Sequence, residues 1–335
     1  MGIIETQDLR FVYGKGTPFE KVALDGVSIS IEQGEFIGVI GHTGSGKSTL
    51  VQLLNGLLRP ESGKVLLSGN DIWTKPKKIR NVRVEVGLVF QYPEYQLFEE
   101  TVYKDIAFGP TNKGVKDKDE LDRIIRTSAE FAGLKESLLE KSPFDLSGGE
   151  KRRAAIAGVI AMQPKVLILD EPTAGLDPKG RDRILDRISA YREKTGSTVL
   201  LVSHSMEDVA RVADRVLVMN HGKVEMFDET KNIFKHGERL SEIGLRVPQV
   251  TQVFLELKRL GADVRTDVYT MDFAKGVALD FLKSSQTESH SSPPSEIPSD
   301  HSDQTETGTQ AADASEKIGT EKTDMTENTE GGEAK

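Results

Sequence analysis

With 335 residues, 37% of them hydrophobic, the chain exceeds one ordinary domain and can bury a sizeable core; lacking cysteine, it excludes disulfides and thiolate metal sites and fits a reducing cytoplasm. The net charge of −9 is gathered at one end: residues 284–335 hold 12 of the 53 acidic and 3 of the 44 basic side chains, leaving 41 of each in residues 1–283, so no basic field points to nucleic acid. No apolar run approaches the roughly 20 residues of a membrane span, and the N-terminus lacks a signal-peptide pattern, so a soluble protein is expected.

A first strand is expected over residues 3–13 and a second over 22–31, where Val27, Ile29 and Ile31 alternate with Ser28 and Ser30. Tyr13, in an aromatic-glycine setting, is placed either to stack on a purine or to pack in the core. After the turn Glu32-Gln33-Gly34, Glu35–Ile40 is an apolar segment of strand length. It feeds Gly41-His42-Thr43-Gly44-Ser45-Gly46-Lys47-Ser48-Thr49, and Leu50–Leu54 follows as a good helix former. Strand, glycine loop and helix are the setting that a phosphate-binding loop of the form Gly, four residues, Gly-Lys-Ser/Thr requires. The glycines let successive N–H groups turn inward on phosphate oxygens, and the helix start adds its partial positive end. Lys47 is expected at the β- and γ-phosphates and the Ser48 hydroxyl on Mg²⁺.

Strands are expected next at 63–67 and 84–90. Gln91 then opens Tyr92-Pro93-Glu94-Tyr95-Gln96-Leu97-Phe98, an unusually aromatic loop. The general tendency of apolar residues to be buried favours core lining over an exposed contact patch. Residues 117–141 read as charged helix, followed by Ser142–Glu150 and a helix running to Met162. Ser147 and Glu150 have capping-box spacing, while Gly148 and Gly149 weaken the first turn and leave its amides bare for an anion.

In Lys165–Asp170 the run Val166–Leu169 is continuously apolar, as in a strand buried on both faces. Asp170 and Glu171 end it where open α/β sheets place ligands, Asp170 suited to hold Mg²⁺ from outside and Glu171 to polarise an attacking water. Asp177 and Pro178 fit an N-cap and first helical position. A further buried strand, 198–203, ends in His204, which its position places among the active-end residues. Residues 214–219 and 223–227 fit a hairpin around Asn220-His221-Gly222, with His221 an ordinary turn residue. Residues 228–283 are mostly helical in pattern, with Val253, Leu255, Leu257 and Leu260 suggesting an amphipathic stretch. The Ser-, Thr- and acid-rich segment 284–335, without an aromatic residue, is expected to be disordered.

Gly41–Thr49, Gln91, Leu146–Glu150, Val166–Glu171, Gly175–Asp177 and His204 together resemble, in order and spacing, the ATP-binding cassette ATPases. The resemblance covers about residues 3–230, and its Leu-Ser-Gly-Gly-Glu signature is highly specific. It implies an α/β nucleotide-binding domain over 1–230: a P-loop core with a mainly parallel sheet, an antiparallel β subdomain and an inserted helical subdomain at about 92–160. It further implies a head-to-tail dimer in which ATP lies between one subunit's phosphate loop and the other's Ser147, Gly148, Gly149 and Glu150, the last standing where Gln is also common. Carried over by position, Tyr13 resembles the adenine stacker, Gln91 the Mg²⁺ and water sensor, Glu171 the catalytic base and His204 the γ-phosphate switch. More narrowly, Gly41–Lys47, the loop 91–98, Ala107–Pro110 and Ser142–Asp145 resemble the second ATP-binding subunit of energy-coupling factor transporters, which are prokaryotic micronutrient importers. That implies an identical or related ATPase partner, a membrane scaffold subunit and small substrate-capturing membrane subunits, with this chain peripheral on the cytoplasmic face. It also turns the expectation for Tyr92–Phe98 towards an exposed groove for a scaffold helix, and makes 231–283 a helical extension that supports ATPase pairing. Rival readings are the ATPase of another cassette transporter and a soluble cassette ATPase without membrane partners.

Overall fold

A computed structural model describes residues 2–288. β1 (Ile4–Tyr13) and β2 (Lys21–Ile31) pair antiparallel, Ile4 opposite Ile31 and Leu9 opposite Val27, with the apolar residues of the alternating run buried. β3 (Phe36–Gly41) runs straight into the glycine loop and α1 (Lys47–Leu54). β4 (Ser62–Leu67) and β5 (Asn70–Asp71) return to β1, completing an antiparallel sheet of order β2-β1-β4-β5. α2 (Ile79–Glu85) then leads to β6 (Val86–Val89). The strand expected from residue 84 therefore starts at Val86, because Val84 and Glu85 complete the last turn of α2.

α3 (Val102–Lys113), α4 (Lys118–Ala132) and α5 (Gly148–Ala161) pack together before β7 (Val166–Asp170). Asp117 caps α4 by accepting the Glu120 N–H, and Gly133 ends it in the left-handed region. α6 (Pro178–Thr195), β8 (Thr198–Val202), α7 (Met206–Val212), β9 (Arg215–Asn220) and β10 (Lys223–Glu229) follow. The second sheet has the order β10-β9-β3-β8-β7-β6, parallel except for the edge strand β10. Every residue of β3, β7 and β8 is buried, as expected of strands covered on both faces. One apolar core lies between this sheet, α1 and the antiparallel sheet; a second joins its other face to α3, α4, α5 and α6.

α8 (Thr230–Lys235), α9 (Gly237–Glu242), α10 (Gln249–Arg259) and α11 (Met271–Glu288) close the described chain. Ile233, Phe234, Leu240, Leu245 and Val247 pack against Ile40, Val216 and Val218, tying the start of this region to the central sheet. In α10 the buried positions are Thr251 and Phe254; of the residues expected to form an amphipathic stretch, Leu255 packs against the central-sheet cluster, whereas Val253, Leu257 and, just past the helix, Leu260 are exposed. α11 continues five residues into the stretch expected to be disordered from residue 284; the rest of that expectation, 289–335, lies outside the described residues.

Candidate functional site: a nucleotide cleft

The carboxyl ends of β3, β6, β7 and β8 open on one edge of the parallel sheet, where α/β folds bind ligands. A cleft of about 350 Å³ lies there, lined by Tyr13, Thr43, Gly44, Gly46, Lys47, Ser48, Thr49, Gln91, Asp170, Glu171 and His204 among others. Gly41 and Ser45 are buried in the turn beneath, and the His42 ring turns aside to Asn220. Gly46 has φ 102°, and a Cβ there would stand 2.7 Å from the Ala23 carbonyl oxygen, so only glycine lets the loop press this closely.

The Lys47 ammonium donates to the loop's own carbonyls, Gly41 O at 2.6 Å and His42 O at 3.0 Å. Burial pulls its pKa down, opposed by the charges of Glu171 and Asp170. It is therefore held at the phosphate position by contacts that a phosphate oxygen can replace. Tyr13 is 42% exposed, packs edge-on against Phe11 and sets its hydroxyl 3.2 Å from Thr49 Oγ1. Its ring is a wall of the cleft and not part of the core.

Asp170 is buried, which raises its pKa, while a hydrogen bond from Ser48 opposes that rise. Glu171 follows in the left-handed region at φ 53°, an uncommon place for a non-glycine residue. Its amide bonds to Val202 O at 3.0 Å, fixing the turn against β8. Burial, then the neighbouring Asp170 charge, pushes the Glu171 carboxyl up to about 7. His204 Nε2 stands 3.5 Å from Glu171 Oε1, an ion-pair distance at which no hydrogen bond closes. Burial and Lys47 both lower the His204 pKa, so the imidazole is mostly neutral at pH 7 and the pair is no full ion pair. A carboxyl poised near 7 with one oxygen unpartnered is chemically able to take a proton from water.

Ser147, Gly148, Gly149 and Glu150 do not line this cleft. They begin α5, with Ser147 and Gly148 exposed. Glu150 Oε2 accepts the Ser147 amide at 2.9 Å, within the capping box that the spacing announced, and also the Ser147 hydroxyl at 2.7 Å.

Three groups escaped sequence reasoning. Arg152, one turn into α5 and buried, donates to the Pro172 and Ala174 carbonyls and lies 3.7 Å from Glu94. It thereby joins the signature helix, the aromatic loop and the turn after Glu171. Asp208, buried on α7, accepts from Thr173 Oγ1 at 2.8 Å and lies 3.7 Å from Arg181, tying that same turn to the helix after His204. Arg152 stands inside the charged run Glu150-Lys151-Arg152-Arg153, so nothing in the sequence singles it out from its neighbours. Third, His221 is more than a turn residue: its ring lies 4.8 Å from that of His42. The aromatic loop departs from the core expectation drawn from burial tendencies and is exposed, as the resemblance implied. Only Pro93 is buried; Tyr92, Tyr95 and Phe98 are exposed, Tyr95 by 85%, with Asp105 accepting the Phe98 and Glu99 amides to hold the loop's end.

Parallel sheet, glycine loop, paired carboxylates and the separate Ser-Gly-Gly helix start together define a P-loop ATPase of the ATP-binding cassette class. Residues 24–174 match the ABC transporter family. The chain belongs to that family, among the ATP-binding, ATP-hydrolysing subunits of energy-coupling factor transporters. It is 51% identical over 280 residues to Energy-coupling factor transporter ATP-binding protein EcfA2 of Caldanaerobacter subterraneus subsp. tengcongensis, covering 84% of this chain and 98% of the relative. Identity to the protein of the same name from Clostridium perfringens is 52% over 281 residues, with the same coverage. Among solved structures it resembles cbiO1 from Clostridium perfringens, part of the ABC transporter complex cbiONQ, with TM-score 0.65, 37% identity and coverage of 78% and 97% of the two chains. It also resembles a dimeric post-hydrolysis state of the ATP-binding cassette MJ0796 bound to ADP and Pi, with TM-score 0.63, 26% identity and coverage of 68% and 98%.

Proposed function

We propose that this chain pairs with a related ATPase and powers uptake of vitamins or other micronutrients through membrane partner subunits. The observation that carries this reading is a division within one chain. Lys47, Ser48, Asp170 and Glu171 line one cleft, while the exposed start of α5 lies outside it. The paired ATPase supplies the amides of its own Ser-Gly-Gly helix start to the γ-phosphate of ATP held here, and Ser147, Gly148 and Gly149 of this chain do the same for the ATP held by its partner. Glu171 acts as base toward the attacking water, His204 senses the γ-phosphate, and Tyr13 stacks on adenine. Ser48, Asp170 and Gln91 suit Mg²⁺, which keeps water and substrate phosphates as ligands and needs few protein groups; among the described residues no larger metal-binding cluster exists. When bound, that ion neutralises charge on the transferred phosphate.

Residues 1–230 form the nucleotide-binding domain, about 92–160 its helical subdomain, and 231–283 the extension that supports pairing. Tyr92, Tyr95, Phe98 and Phe108 are exposed, and Phe98 and Phe108 line a groove of about 330 Å³ between α3 and α5, apolar enough to receive a helix of the membrane scaffold. No helix among the described residues is long and apolar enough to cross a membrane, which is consistent with a peripheral place on the cytoplasmic face. The test is to isolate the tagged chain from its host's membranes in mild detergent and identify what accompanies it. A second ATPase, a large membrane subunit and a small one are expected. Recovery of this chain alone, or with soluble proteins only, would contradict the proposal.

A further inference from the structure

The phosphate loop is connected by side chains to the C-terminal helices. Arg239, on α9, donates through Nε and Nη2 to Glu225 Oε1 at 3.0 and 2.6 Å. The other oxygen of Glu225, on β10, accepts from Asn220 Nδ2 at 3.1 Å. A carboxylate can only accept, so this contact fixes which way the Asn220 amide points and turns its Oδ1 to His42 Nε2, 3.2 Å away. The His42 carbonyl in turn accepts from Lys47 Nζ. The same turn grips the loop twice more, through Gly222 N–H on Ser45 O at 3.0 Å and the His221 ring against His42.

We infer that Arg239, Glu225 and Asn220 are positioning residues that set nucleotide affinity by fixing His42 in the phosphate loop, so that the state of α9 is felt at the phosphates. This rests on the nucleotide reading of the cleft. The loop binds phosphate with backbone N–H groups, whose aim depends on where its second residue is anchored. Removing the guanidinium frees Glu225, then the Asn220 amide, then the His42 ring. The effect is modest because the Arg239–Glu225 pair is partly solvated.

The experiment titrates ADP onto the full chain at equilibrium, for wild type, R239A, H42A, the double variant and K47A. R239A is expected to weaken ADP binding by about two- to five-fold, the range of a partly exposed ion pair, and to raise KM for ATP with kcat unchanged. H42A also weakens binding, and the double variant is no weaker than H42A alone, since Arg239 acts through His42. An unchanged dissociation constant in R239A, or additive losses in the double variant, would overturn the inference while wild-type binding and K47A loss leave the site reading standing. A wild type that fails to bind ADP overturns both. Melting temperatures separate a local effect from general loosening: R239A should melt with wild type.

Discussion

Glu171→Gln offers a test of the cleft's electrostatics that needs no turnover. The native chain holds the Glu171 proton up to about pH 7, whereas an unfolded chain releases it near the ordinary 4.5. The native state thus binds more protons between those values, and its stability falls as pH rises through that window. A carboxyl moved from 4.5 to about 7 corresponds to about 3 kcal/mol at the upper limit. Solvent entering the cleft screens part of this, and about 1.5 kcal/mol is a fair working value. Glutamine keeps the shape and the hydrogen bonds of the protonated acid and cannot ionise. The variant should therefore match wild type at pH 4.5 and exceed it by about 1.5 kcal/mol at pH 8. In a chain of this size that is about 3 °C in melting temperature. Parallel thermal melts of the nucleotide-free proteins across that range measure the difference directly, other titrations cancelling between them. A gap that stays constant with pH, or a variant less stable than wild type at pH 8, would refute the reasoning.

Arg152→Ala should lower stability by about 3 kcal/mol, because it strips Glu94 of its cation and leaves the Pro172 and Ala174 carbonyls without their donor; chemical denaturation measures it, and a loss under 1 kcal/mol would contradict the contact's importance. Gly46→Ala puts a Cβ 2.7 Å from the Ala23 carbonyl oxygen at φ 102°, so the loop must shift; ADP affinity should fall at least about ten-fold while the fold persists, as titration and circular dichroism would show.

What the sequence made legible was local. The glycine loop, the strand feeding it and the two mainly apolar strands ending at Asp170 and Val202 are contiguous patterns, and they lie where the patterns put them. Pairings between distant segments were not legible: Thr173 with Asp208, Arg152 with Glu94, His42 with Asn220 and His221. No spacing rule brings such residues together, because only the sheet order does. For the aromatic loop, burial tendency alone misled, and only the resemblance turned the expectation to exposure. Burial tendencies describe a chain that is its own only partner, and Tyr92, Tyr95 and Phe98 lie exposed. In α10, Val253 and Leu257 are likewise exposed, while Phe254 is buried and Leu255 packs inward.

The proposed catalytic centre is completed across two chains, and Gly148→Asp probes that most directly. A Cβ at Gly148 meets nothing within 4 Å, so the substitution leaves the isolated chain unstrained and the cleft around Lys47 untouched. For this chain paired with a second copy of itself, so that both sites carry the substitution, the account predicts ADP affinity equal to wild type together with ATP hydrolysis reduced by at least about a hundred-fold, as an acid set against a γ-phosphate would cause. Hydrolysis at the wild-type rate by the Gly148→Asp protein would contradict it.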